Sequence, residues 1–188
     1  MKSYQPHRRD FIRIVVVGTT AVGLSTPLIG CGDDNVSTPP VDPSLIFTQG
    51  IASGDPRTDS VILWTRIQND DGANVSVNYE VSMDESFNEL IASGSVEAEV
   101  SADHTVRIKL TELAPYTTYY YRFEAAGAVS PVGRTRTAPT AEQEVDVRFA
   151  VAACQDFNGR YYHAWGELAD RIESGTDVDF VLFLGDYI

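Results

Sequence analysis

The chain has 188 residues, 43% hydrophobic and 22% charged, a balance that excludes a wholly disordered polypeptide and suits one or two globular domains. Lys and Arg number 14 against 27 Asp and Glu, a formal charge of -13, which is the wrong sign for a nucleic-acid binder, and no nucleic-acid-binding module is evident. The 2 cysteines, Cys31 and Cys154, are too few for a disulfide framework and lie in settings too different to pair.

Residues 1–30 read as an export signal. Lys2, Arg8, Arg9 and Arg13 precede an uncharged run from Ile14 to Gly30, the order of a charged and then an apolar signal region. A membrane-spanning helix needs about 20 predominantly apolar residues, and Pro27 breaks this shorter, glycine-containing stretch. Leu28-Ile29-Gly30-Cys31 is the setting in which a lipoprotein peptidase cuts, leaving Cys31 as a lipidated N-terminus. Arg8-Arg9-Asp10-Phe11-Ile12-Arg13 resembles the twin-arginine export motif, with His7 where Ser or Thr is usual. That resemblance implies passage through the twin-arginine export machinery in a folded state. Without residues 1–30 the chain keeps 10 basic and 26 acidic residues, a net of -16. The expected location is extracytoplasmic in a bacterium, in the periplasm or on the cell surface, held to the membrane by acyl chains at Cys31. From Cys31 to Ser44 the sequence is polar and proline-rich, which predicts a flexible tether.

Residues 45–140 carry a period of two. Ser60–Arg66, Val75–Val81, Thr105–Leu110 and Tyr119–Glu124 place β-branched or aromatic side chains on alternate positions, as half-buried strands do. Turn clusters at Ser53-Gly54-Asp55-Pro56, Asn69-Asp70-Asp71-Gly72 and Ala126-Gly127 separate them. An antiparallel β-sandwich resembling fibronectin type III is expected. Leu113-Ala114-Pro115 followed by Thr118-Tyr119-Tyr120-Tyr121 suits a tyrosine corner. Asp55, Asp59, Asp84 and Asp103 read as solvated turn residues, and His104 as a surface histidine. Trp64 and the tyrosines read as core rather than as a sugar-binding platform.

At Glu144 the pattern changes. Val145–Ala152 predicts a strand ending at Ala153-Cys154, Tyr161–Ile172 a helix closed by Gly175, and Asp179–Leu184 a strand apolar on both faces that stops at Gly185-Asp186. A right-handed β-α-β unit has parallel strands, so Cys154 and Asp186 arrive on one rim, where a thiolate and a carboxylate together suggest a metal site. Taken separately, each has an ordinary reading as a small buried residue or a turn. A rival reading takes Cys154 to Arg160, Cys, five residues, Arg, as the phosphate loop of a cysteine-dependent tyrosine phosphatase. Ala153, Asp156 and Tyr161 depart from that pattern, and Asp156 would put a carboxylate in an anion site. His163, near the helix start, is a candidate substrate contact or partner to a metal ligand.

Long motifs in order carry a family resemblance. Phe47–Pro56, Val61–Arg66, Tyr120–Phe123, Val129–Pro139, Ala153-Cys154-Gln155 and Asp179–Ile188 together resemble the PhoD family of alkaline phosphatases. The resemblance implies a fibronectin-like domain followed by the first β-α-β unit of an α/β metallophosphatase domain at residues 145–188, with iron(III) and calcium as cofactors and phosphomonoesters and phosphodiesters as substrates. Cys154 matches the family's iron ligand and Asp186 its bridging metal ligand, while Phe183 stands where the family commonly has His and reads as a packing difference. The family's motif continues Gly-Asp-Tyr-Ile-Tyr-Glu, and its next tyrosine and later Asn, Asp and His ligands lie past Ile188. Residues 145–188 alone are too few to cover both faces of their strands. The expectation is an exported phosphatase whose metal centre these residues do not complete and which is inactive over them alone. The alternative is a lipid-anchored β-sandwich that binds a partner and carries a catalytic remnant.

Overall fold

Strand formation follows the alternation of apolar and polar residues. The computed structural model describes residues 41–155 and 162–186, so the signal with Arg8 and Arg9, the lipidation position Cys31, and the loop containing Arg160 lie outside the described residues. A short helix, α1 (Pro43–Ile46), opens the described part; the Asp42 side chain accepts from the Ser44 N–H at 2.9 Å and caps it. Pro43 and Ser44, assigned to the tether on sequence, belong to this helix.

Two antiparallel sheets follow. β1 (Ile51–Gly54), β2 (Val61–Arg66) and β5 (Thr105–Leu110) pair in the order β1-β2-β5. The second sheet has the order β4-β3-β6, formed by β3 (Val75–Ser82), β4 (Leu90–Ala98) and β6 (Thr118–Ala125). Its far edge is shared by β7 (Ala128–Val129) and β8 (Gly133–Arg136), both paired to β6. One core joins the sheets, with Val61, Leu63, Val106 and Leu110 from the first and Val77, Val81, Tyr121 and Phe123 from the second. β2 shows the alternation plainly: Val61, Leu63 and Thr65 are buried, while Ile62, Trp64 and Arg66 turn outward.

Trp64 therefore departs from the core reading. It lies part-exposed on the outer face, between Ala52 and Arg107 on the neighbouring strands. Tyr119 and Tyr121 do enter the core. The Tyr119 hydroxyl accepts from the Ala114 N–H at 2.8 Å, which is the geometry of a tyrosine corner. β7 and β8 are one edge broken at Ser130-Pro131-Val132. Pro131 has no N–H to donate, and the Ser130 hydroxyl substitutes for the ladder by accepting from the Phe123 N–H at 2.9 Å.

His104 corrects a second expectation. It is buried, 6% exposed, because left-handed backbone at Asp103 and His104 folds the turn back over the sandwich. Its Nε2 lies 2.9 Å from the Ala73 carbonyl, tying this turn to the loop before β3. Asp103 stays exposed as expected, yet it receives both Nε and Nη2 of Arg66, at 3.0 and 2.9 Å.

Two glycines admit tyrosine rings. Gly94 faces Tyr79 across β4 and β3, and Gly133 faces Tyr121 across β8 and β6. A Cβ on Gly94 would lie 2.8 Å from Tyr79 Cε1, and one on Gly133 would lie 2.6 Å from Tyr121 Cε1. Each ring thus lies over the bare backbone of the opposite strand, a cross-strand packing only glycine permits.

Past the sandwich, β9 (Phe149–Ala152) and β10 (Phe180–Phe183) pair in parallel, with Phe149 opposite Phe180 and Ala152 opposite Phe183. Between them in sequence runs α2 (His163–Glu173). β9 is shorter than expected, since Val145 to Arg148 stay outside the ladder. α2 ends in a Schellman motif: the Gly175 N–H bonds the Ile172 carbonyl at 3.0 Å, the Thr176 N–H bonds the Arg171 carbonyl at 2.9 Å, and Gly175 takes φ +102. The faces of this unit are open, with Phe149 51% and Leu184 65% exposed. Among the described residues no helix is long and apolar enough to cross a membrane.

Replacing Gly133 by Ala drives a methyl into the Tyr121 ring and is expected to cost about 1–3 kcal/mol, read from the urea midpoint. Tyr121 also sets a pH dependence. Burial pushes its hydroxyl up to about 12, partly offset by a hydrogen bond with Ser53. Because the folded protein holds this proton more tightly than the unfolded chain, the contribution to stability is complete below about pH 10 and is lost as the pH rises toward about 12. Tyr121→Phe is expected to remove that part of the alkaline stability profile, and phenolate absorbance during titration checks it.

Candidate metal-binding site

Both candidate ligands stand where a parallel strand gives way to a loop. The ladder runs past the strands: the Leu184 N–H bonds the Ala152 carbonyl at 2.8 Å, the Cys154 N–H bonds the Gly185 carbonyl at 3.0 Å, and the Gln155 N–H bonds the Asp186 carbonyl at 2.8 Å. Cys154 and Asp186 are both left-handed, each with φ +58, and Gly185 between strand and ligand has φ +127. Such conformations are costly for residues with a Cβ and concentrate at functional sites. They turn both side chains out of the pleat and onto the same rim, so the juxtaposition expected from a β-α-β connection is present.

Cys154 is exposed and its sulfur is not in a disulfide. Its thiol shares a hydrogen bond with the Asp186 carboxyl, and this bond, the negative charge of Asp186 and a smaller effect of burial all raise the thiol pKa. A thiol beside a carboxylate keeps its proton; a cation placed between them removes the penalty on the thiolate. Sulfur and carboxylate are donors suited to a transition metal, so the pair fits the start of a metal site. Among the described residues no group of three or more His, Cys, Asp and Glu stands where it could hold an ion.

The neighbours of the rim are set by α2. Gln155 Oε1 accepts from Trp165 Nε1 at 2.8 Å, a contact that the sequence reading did not anticipate. Trp165 stacks on Phe183 with ring centroids 6.0 Å apart and planes 13° apart, so Phe183 has the packing role expected of it. An open cleft of about 460 Å³ runs along β9 beside α2, lined by Ala152, Cys154, Gln155, Trp165, Leu168 and Phe183 among others. His163 is the first residue of α2 and is exposed. The Trp165 position was legible as part of the apolar stripe of the helix, but its bond to Gln155 depends on where the crossover lays that stripe.

Gly185→Ala is expected to strain this turn by about 1–3 kcal/mol, because φ +127 is open to glycine and rarely to other residues. Faster amide exchange at Cys154 and Gln155, whose N–H groups bond Gly185 and Asp186, is the corresponding measurement.

Comparison with known proteins agrees with this architecture. Residues 36–139 match the family model described as PhoD-like phosphatase, N-terminal domain. Alkaline phosphatase D of Bacillus subtilis (strain 168) is 36% identical over 198 residues, an alignment that takes in 100% of this chain and 33% of that protein. A solved structure of PhoD matches with a TM-score of 0.70 at 39% identity, covering 80% of this chain and 29% of that one. The chain spans about a third of the length of the curated relative it matches. On the extent of the family match, together with a mostly antiparallel sandwich of the same form, this chain belongs to the PhoD-like phosphatase family.

Proposed function

We propose that this chain contributes Cys154 and Asp186 to the metal centre of an exported phosphatase that hydrolyses phosphomonoesters and phosphodiesters. The observation that carries the reading is the meeting of a thiol and a carboxylate at the ends of two parallel strands, in a member of the PhoD-like phosphatase family. Iron(III) and calcium are the ions proposed, from the resemblance of the motifs around both residues. When bound, such ions polarise the phosphoryl group and neutralise the charge that develops on it.

The roles of the chain's own residues follow from their chemistry. Cys154 gives up its thiol proton on ligation and supplies a soft anionic donor, favouring iron over calcium. Asp186 has two oxygens and is suited to hold a second ion beside the first. Gln155 and Trp165 keep the loop after β9 against α2, so the thiol is presented from a fixed backbone. Arg8 and Arg9 are proposed as the export signal, and Cys31 as the lipid-bearing residue that keeps the acidic mature protein at a membrane.

In the full protein, Cys154→Ala and Asp186→Ala are each expected to lower metal content and phosphatase activity by more than about 100-fold, since even residues behind a metal ligand are worth 10–100-fold. Elemental mass spectrometry and hydrolysis of nitrophenyl mono- and diesters are the measurements, and a variant that keeps both properties rejects that ligand. Chelators are expected to inactivate. Loss of activity on thiol alkylation without chelator sensitivity would return the tyrosine-phosphatase mechanism, while absence of metal-dependent hydrolysis from the full protein would favour the binding module. Paired Arg8→Lys and Arg9→Lys substitutions are expected to hold the precursor in the cytoplasm, and Cys31→Ser to release the exported protein from membranes; fractionation with intact-mass analysis reads both.

A further inference from the structure

The parallel pair β9 and β10 has a problem of register. Phe149-Ala150-Val151-Ala152 and Phe180-Val181-Leu182-Phe183 are apolar at every position, so no alternation of apolar and polar residues selects one alignment, and a register-specific contact between them is the stack of Phe149 on Phe180, with ring centroids 5.3 Å apart. A slip of one residue displaces one strand by about 3.3 Å along the other. That displacement breaks the backbone bonds that hold the two loops together, Cys154 N–H to the Gly185 carbonyl at 3.0 Å and Gln155 N–H to the Asp186 carbonyl at 2.8 Å.

Polar contacts are concentrated at the opposite end of the same pair. Asp179, just before β10, donates its N–H to the Arg148 carbonyl at 2.8 Å, and its Oδ2 accepts the Arg148 N–H at 2.9 Å. Its other oxygen, Oδ1, accepts from Arg136 Nη1 at 2.7 Å. Arg136 belongs to β8 of the sandwich and is held on several sides. Its Nε donates to Thr118 Oγ1 at 3.2 Å, its Nη2 to Asp177 Oδ2 at 3.1 Å, and its guanidinium lies 5.3 Å from the centre of the Tyr116 ring. Arg134, two residues earlier on the same face of β8, reaches Asp177 Oδ1 at 3.2 Å. With 22% of the Arg136 side chain and 18% of the Asp179 side chain exposed, this pair is less screened than a surface pair.

We infer that Arg136 and Asp179 are positioning residues that lock the register of β9 against β10 from the sandwich side and thereby set Cys154 beside Asp186 at the far end. Each half of the lock is specific. The Asp179 carboxylate satisfies Arg148 only when Asp179 stands opposite it, and the guanidinium of Arg136 presents Nη1 and Nη2 to two carboxylates two residues apart. The apolar sequences supply no alternation to fix the alignment, so this polar end carries it together with the stack of Phe149 on Phe180. The inference rests on the reading of Cys154 and Asp186 as metal ligands only for its consequence; the register itself is testable without metal.

The test is a crosslinking ruler in the full chain. In a Cys31→Ser, Asp186→Cys background, Cys154 and the new cysteine follow neighbouring strands, which are spaced about 4.8 Å apart, and lie one position off register, near enough for a disulfide. The disulfide is expected to form under mild oxidation and to be found by peptide mass mapping. Adding Arg136→Ala or Asp179→Ala is expected to slow its formation by roughly tenfold or more, the loss of one charge-assisted hydrogen bond, and Arg136→Lys to recover part of the rate. Where Asp179→Ala fails to fold, Arg136→Ala and Arg136→Lys, both confined to β8, carry the comparison, with the sandwich melt as the check on folding. Unchanged crosslinking in Arg136→Ala overturns the lock and leaves the ligand assignment standing. No crosslink in the parent background overturns the alignment on which the lock depends. In the full protein with Cys154 and Asp186 intact, Arg136→Ala is expected to lower bound iron; slowed crosslinking with undiminished iron rejects the ligand assignment and keeps the lock.

Discussion

Parallel pairing of β9 with β10 is the constraint on which the candidate site depends. A parallel connection requires a crossover, here the stretch containing α2, and it returns the chain so that both strands finish on the same edge. Cys154 and Asp186 are separated by the whole unit in sequence, yet each is the residue at which its strand turns away. Left-handed backbone at both, with Gly185 between, converts the common edge into a common rim. An antiparallel pair would have carried the thiol and the carboxylate to opposite ends.

The two parts of the described chain are stabilised by different physics. In the sandwich, both sheets contribute large apolar side chains to one core, and Phe123 and Leu63 are fully enclosed. Its loops are bound by side chains that supply missing backbone partners, as Tyr119 does for Ala114 and Thr137 does for the Thr117 N–H at 2.9 Å. The β-α-β unit has no comparable enclosure, since Val151, Phe180 and Leu182 stay open. Ion pairs and stacked rings are the specific contacts there. Trp165 against Phe183 orders one end, and Asp179 between Arg136 and Arg148 orders the other.

Charge follows the same division of labour. The protein is acidic overall, yet β8 presents Arg134 and Arg136 together to Asp177 and Asp179. Burial alone would raise Asp177, but bonds from Arg134 and Arg136 outweigh it and hold the carboxyl below its usual range. At the rim the balance is opposite. Asp186 faces a thiol rather than a cation, and the thiol is driven toward its protonated form. One carboxylate-rich end is neutralised within the chain, and at the other a thiol and a carboxylate, both donors to a cation, stand together.

Much of this was legible in the residues. Period-two alternation marked β2, β3, β5 and β6, because a half-buried strand must alternate, and the Pro115-to-Tyr119 spacing marked the tyrosine corner. Apolar runs ending at Ala153-Cys154 and at Gly185-Asp186, with a helical stripe between them, marked the β-α-β unit and its rim. β4 escaped notice because its inward positions are Ala92, Gly94, Val96 and Ala98, mostly small residues, and Gly94 is filled by Tyr79 of the neighbouring strand. His104 and Trp64 were placed on the wrong side, since a turn's fold-back and a strand's facing are settled by pairing and not by local polarity. Local pattern thus determined which segments extend, which coil and where chemistry-bearing residues end a strand. Tertiary structure alone decided how the rim is held, because Arg136, a residue of another sheet, reaches Asp179 at the far end of two uniformly apolar strands.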